Sequence, residues 1–148
     1  YCTGWNTIPQ TRDIWMGPVE NGPALAEVYR SAKFVLHANS DTNLHQRVFE
    51  AAACHTVPLV YAHPTDTAEG GLTNCYNLTD HMVRFADEGD FTKKIMYFLN
   101  DHAARHQIAQ NAYVQTYTFN SYKNRAEGIL ETIGWREGKQ FKPKPEGH

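Results

Sequence analysis

The sequence predicts an α/β domain on a parallel sheet, and three observations carry that expectation. Apolar runs of four to six residues alternate with amphipathic stretches of ten or more, the rhythm of strand–helix–strand units. Each apolar run is short and is followed by turn or polar residues, as strand ends at one edge of a sheet would be. The last two helical stretches follow one another with no strand between them, so the alternation closes there. A chain of 148 residues, 41% hydrophobic and 12% aromatic, is long enough for one domain with its own core.

In chain order, the expected strands are Asp13 to Met16, Phe34 to His37, Val57 to Tyr61 and Met82 to Phe85, with a partial strand at the very start. The expected helices are Pro23 to Ala32, Asn43 to Cys54, Asp90 to Asn100, His102 to Tyr117 and Asn120 to Ile133. Asn21-Gly22-Pro23 announces the first, because proline suits a first turn whose N–H has no helical partner. Asn120 or Ser121 is placed to cap the last. After Gly134 the stretch WREGKQFKPKPEGH is basic, proline-containing and aperiodic, which reads as an extended tail over 134–148 behind a domain over 1–133. No internal repeat is present.

Composition narrows the partners. Fourteen basic and sixteen acidic side chains leave a net charge of −2, so no global field draws the chain to nucleic acid or an anionic membrane. No apolar run approaches the roughly 20 residues of a membrane span. Cys2, Cys54 and Cys75 are odd in number and lack metal-ligand spacing, which favours a reducing compartment, the cytoplasm. The chain starts at Tyr1 and is expected to be a fragment of a longer one. Asn77-Leu78-Thr79 fits the glycosylation acceptor pattern, a match common by chance. Trp5, Trp15 and Trp135 are scattered rather than interleaved with basic residues, which gives single-strand nucleic-acid binding no support.

The helix at Asn43 to Cys54 carries the candidate chemistry. Leu44, Val48, Ala51 and Ala52 form a face that packs on the sheet, and Asn43, Arg47, Glu50 and Cys54 form a second stripe. The plain reading of Arg47 and Glu50 is an exposed ion pair at i, i+3. The sharper reading begins with the loop HANSDT, which follows the strand Phe34 to His37. That edge of an open α/β sheet is where ligands bind, and the next helix N-terminus offers N–H groups to an anion. Glu50 would then face a crevice, where a carboxylate can accept two hydrogen bonds from a vicinal diol such as a ribose.

These residues carry a resemblance. Gly17 at a strand end, Tyr-x-x-Ala-Lys at Tyr29 to Lys33, and Arg-x-Phe-Glu-Ala-x-Ala-Cys at Arg47 to Cys54 recur in this order in the group-1 glycosyltransferases of the GT-B type. The later run from Asp90 into the last helix resembles their CgeB-like branch, and the likeness covers roughly residues 12 to 133. It implies a Rossmann-like parallel sheet flanked by helices, one half of a GT-B architecture, ending in two consecutive helices. The implied role is binding a nucleotide-diphosphate sugar for hexosyl transfer to an unknown acceptor. Glu50 would hold the ribose hydroxyls. Asn39, Ser40, Asp41, Thr42, Asn43 and Leu44 would lie against the diphosphate and sugar, with the Asn43 and Leu44 N–H groups as donors. Gly17 would border the base, and Arg47 is the one basic residue on the cleft stripe.

Two departures from that family stand out. The first of its two glutamates falls here on Thr42, with Asp41 adjacent, and Asp41 or Thr42 is more simply the cap of the helix. The glycine usual after the cysteine is His55, so a left-handed cap would be filled by a residue with a Cβ. The acceptor domain, expected on the N-terminal side, is missing, so these residues alone should transfer little. No essential metal is expected, since no Asp-x-Asp pair is present and His102 and His106, at i, i+4, lack the supporting acidic ligand. His37 and His63 each follow a strand at the cleft edge; His63 is a phosphate donor or, preferably, the turn residue before Pro64. The Gly-rich stretch at 66–71 has no lysine of a phosphate loop and reads as a flexible loop above the sheet. The rival reading is a non-catalytic GT-B-like binding or assembly module.

Overall fold

The computed structural model describes residues 5–39 and 41–135. Three strands, β1 (Phe34–His37), β2 (Val57–Tyr61) and β3 (Val83–Phe85), form a parallel sheet in the order β1-β2-β3. Phe34 sits opposite Val57 in one pair and Leu59 opposite Val83 in the other. Among the described residues five helices accompany it: α1 (Pro23–Ser31), α2 (Gln46–Ala53), α3 (Glu88–Asn100), α4 (His102–Phe119) and α5 (Tyr122–Thr132), the last packed on α4. This is the Rossmann-like α/β arrangement expected, closing in consecutive helices.

The centre is β2, whose first four residues are all buried because both faces of a parallel sheet are covered. Its side chains alternate between two cores. Val60 joins Val48 and Ala52 of α2, Leu72, Tyr76, Met82 and Ala112 on one face. Val57 and Leu59 join Val83, Phe85 and Ala109 on the other, against Phe91, Ile95 and Phe98 of α3. Ala51 and Ala52, fully buried, let α2 lie close to the strands.

Caps set most of the helix ends. Pro23 opens α1, Asp87 accepts from the Asp90 N–H at the start of α3, and Asp101 accepts from the Ala104 N–H at the start of α4. Ser121 and Asn124 form a reciprocal capping box at α5. Because α5 buries no side chain fully, the cap matters more than packing there. Ser121→Ala is expected to weaken α5 by about 1 kcal/mol, read as roughly fivefold faster amide exchange across Tyr122–Thr132. Unchanged exchange would remove the cap from the account. His55 does occupy the left-handed position after α2, with φ of 57°, and its ring stacks on Tyr113 at 3.6 Å between centroids.

Four expectations need correction. Residues 13–16 are not a strand: Arg12–Ile14 make a single 3₁₀ turn, and Ile14 and Met16 are exposed with no strand beside them among the described residues. A strand needs a neighbour for its N–H and C=O groups, and this segment has none there. Gly17 therefore ends no strand, and its φ of 85° marks a bend in an irregular segment. Next, α2 begins at Gln46 rather than Asn43, and its cap is His45, whose Nδ1 accepts from the Arg47 N–H, not Asp41 or Thr42. Last, the Gly-rich stretch is tied down. Pro64–Thr67 and Leu72–Asn74 are 3₁₀ turns, Asp66 is buried, and a Cβ at Gly71 would collide with the Thr65 and Asp66 backbone. The partial strand at the very start and the tail beyond Trp135 lie outside the described residues.

Candidate functional site

A groove of about 460 Å³ opens between α1, β1 and α2. Tyr29 and Val28 line it from α1, Val35 and Leu36 from β1, and Gln46, Arg47 and Glu50 from α2. Glu50 is half-buried on its wall. Gln46 donates its side-chain amide to Glu50 Oε1 at 2.6 Å, and the Tyr29 hydroxyl donates to Oε2 at 3.4 Å. These contacts hold the carboxylate in one orientation while leaving it acceptor capacity, since an ionised carboxylate offers about four lone-pair sites. The expected Arg47–Glu50 ion pair does not form among the described residues; Glu50 takes Gln46 and Tyr29 instead. Burial first, and the Glu50 charge second, push the Tyr29 phenol above its ordinary range, with Arg47 opposing. Tyr29 thus remains a neutral donor. Its backbone is anchored separately, because Thr56 Oγ1 donates to the Tyr29 carbonyl.

At the C-terminal ends of the strands lies a buried polar hub. Asp66 is 1% exposed. Its Oδ1 accepts from Asn43 Nδ2 at 2.9 Å, and its Oδ2 accepts from the His63 N–H at 3.0 Å and from Arg84 at 2.9 Å. Asn43 Nδ2 also donates to the Tyr61 carbonyl at 2.6 Å. One carboxylate therefore joins the loop before α2, the turn after β2 and the side chain of Arg84 on β3. The Thr42 hydroxyl accepts from the Leu44 N–H at 3.1 Å, completing the turn that leads into the helix.

His37 ends β1, 4% exposed, with its ring stacked on His45 at 5.1 Å between centroids. Burial first, then the charges of His45 and Arg47, hold its pKa below the ordinary histidine value; the Thr42 backbone and Asp66 pull the other way. The folded chain thus takes up this proton less readily than the unfolded chain. Stability is complete above about pH 6.5 and is lost as pH falls through that value toward the lowered folded pKa. The melting temperature is expected to fall between pH 7.5 and 5.5, and His37→Gln to flatten part of that fall. His81, also lowered chiefly by burial, carries another part. An identical slope in the variant would remove His37 from the account.

The sequence profile of a family described as glycosyl transferase-like matches residues 1–131. The chain belongs to this glycosyl transferase-like family. No curated protein matches it.

In this glycosyl transferase-like domain, the residues singled out from the sequence are dispersed rather than gathered. Glu50 and Arg47 line the α1–β1–α2 groove. Asn43 is wholly buried in the hub, and the Leu44 N–H is already taken by Thr42, so the two are not helix N-terminal donors. Asn39 lies in the loop after β1, Gly17 in the segment before α1, and Ser40 lies outside the described residues. His63 is the turn residue preferred: its Nδ1 accepts from the Thr65 N–H, capping the 3₁₀ turn. Tyr29, His45 and Gln46 were missed as site residues. Gln46 had a signal, since it stands four residues before Glu50 and so on the same helix face. Tyr29 had one only as the first residue of the Tyr-x-x-Ala-Lys run, which carried no role for its hydroxyl. Among the described residues, no helix is long and apolar enough to cross a membrane.

Proposed function

We propose that this domain holds the donor in a glycosyl transfer, a nucleotide-diphosphate sugar, in the α1–β1–α2 groove. The observation that carries this reading is Glu50 on the wall of an open groove, oriented by Gln46 and Tyr29 with acceptor capacity to spare. A carboxylate so placed suits two adjacent ribose hydroxyls. Arg47, on the same groove, supplies positive charge for the leaving diphosphate, and the start of α2 adds its dipole. Asn39, Ser40 and Thr42 border the transferred sugar in this proposal, Gly17 the base, and Asn43 acts by positioning the loop. The CgeB-like branch, the 1–133 domain with a basic tail, an acceptor half supplied from outside these residues, and transfer without an essential metal belong to the same proposal. So does a cytoplasmic location, in keeping with Cys54 and Cys75 as free thiols.

One observation favours the rival, a domain that binds without transferring. Thr42 stands where the related enzymes place a sugar-contacting glutamate, and its hydroxyl is engaged with the Leu44 N–H. Thermal unfolding with a panel of nucleoside diphosphates and their sugars tests the proposal. At 100 times Kd a bound donor should add about 2.7 kcal/mol of stability. Stabilisation by none of the panel overturns donor binding; binding with no transfer by the complete protein selects the rival.

A further inference from the structure

A second groove, about 410 Å³, lies between α2, α4 and α5, and Gln46 and Glu50 line both grooves. Its walls are aromatic: Phe49 from α2, Tyr113 and Tyr117 from α4 and Tyr122 from α5. Tyr117 and Tyr122 are 72% and 77% exposed, a large ring surface left in water within a concavity. Concave, largely apolar sites of this volume with a few polar groups are the usual form of small-molecule pockets.

The polar groups around this groove decide what it can take. Gln46 is engaged with Glu50, Asn120 Nδ2 donates to the Cys75 carbonyl at 3.0 Å, and Ser121 is engaged with Asn124. Glu50 and the hydroxyls of Tyr113, Tyr117 and Tyr122 also stand on the lining. The one cationic side chain on it is Arg125. Its guanidinium lies over the Phe49 ring, 4.7 Å from the centroid, with a 3.8 Å contact to the Cys75 sulfur. Among the described residues no carboxylate forms an ion pair with it. A guanidinium stacked on an aromatic face and lacking a counter-charge is matched by an anion approaching in its plane. Glu50, also on the lining, repels negative charge and so directs the anion to the Arg125 side.

We propose that the α2–α4–α5 groove is a binding site for an aromatic monoanion, with its ring against Phe49, Tyr113 and Tyr117 and its acidic group on Arg125. The site does not rest on the nucleotide-sugar reading, because its ligand needs neither Glu50 as an acceptor nor the first groove.

The test uses the full chain and titration calorimetry with naphthalene-2-carboxylate, the isosteric 2-naphthamide, and acetate. The carboxylate is expected to bind at least about tenfold tighter than the amide, and acetate alone not to bind measurably. Arg125→Gln should remove that tenfold preference and Arg125→Lys should keep part of it. Tyr117→Ala, at an exposed position, should weaken acid and amide alike. Equal binding of acid and amide, an unchanged preference in Arg125→Gln, no saturable binding, or a groove closed by association of two copies in sedimentation would each overturn the proposal.

Discussion

Asp66→Ala is expected to destabilise the chain by about 3–5 kcal/mol, a large part of the roughly 5–15 kcal/mol that holds a domain of this size. Alanine there would leave the side-chain amide of Asn43, the N–H of His63 and the guanidinium of Arg84 without their shared acceptor. Each orphaned buried donor costs about 1–3 kcal/mol. Arg84 retains 28% exposure of its side chain, so water recovers part of its loss and the total should fall toward the lower bound. Asp66→Asn keeps one acceptor for Asn43 but removes the charge facing Arg84, and should fall between parent and alanine variant. Urea unfolding reads all three, with Glu27→Ala on the exposed face of α1 as a control expected within about 0.5 kcal/mol of the parent. A loss below 1 kcal/mol at Asp66 would mean that the loops carrying the groove are held by something else.

That hub also explains what the sequence could and could not reveal. β1 and β2 were legible to the residue because each is an unbroken apolar run with turn residues behind it; β2 is covered on both faces, whereas β1, at the sheet edge, leaves Leu36 exposed. Local caps were legible too: Ser121 announces α5 within its own turn. The start of α2 was not. Locally, Asp41 and Thr42 are good caps, and nothing nearby says that Asn43 will turn inward to meet a carboxylate 23 residues later. The same long-range tie made a Gly-rich stretch look slack when it encloses Asp66. Residues 13–16 were misread for the reverse reason, an apolar pattern with no neighbouring strand to pair with among the described residues. At the site, Glu50 and Arg47 could be found from their helix spacing, whereas Tyr29 comes from another helix and is brought to Glu50 only by packing.

Substitution of Glu50 should separate binding from folding. Its carboxylate is half-buried on an open wall and its one tie to a core residue is the long 3.4 Å bond from the Tyr29 hydroxyl, so Glu50→Ala should leave stability within about 1 kcal/mol of the parent. Donor affinity should change far more. Hydrogen bonds to a charged group contribute about 1.5–3 kcal/mol, and each 1.4 kcal/mol is tenfold, so the alanine variant should lose about 100-fold in Kd for a nucleoside diphosphate. Glu50→Gln keeps one oxygen acceptor and should lose about tenfold. The decisive comparison removes the same contact from the other side. A 2′,3′-dideoxynucleoside diphosphate should bind the parent about 100-fold more weakly than the ribonucleotide, yet bind Glu50→Ala no more weakly than the ribonucleotide does. That coupling isolates the carboxylate–diol contact from every other effect of either change. If the two losses simply add, Glu50 acts on the nucleotide through something other than the ribose. If nucleotide binding is intact in Glu50→Ala, the groove between α1, β1 and α2 is not where the donor sits.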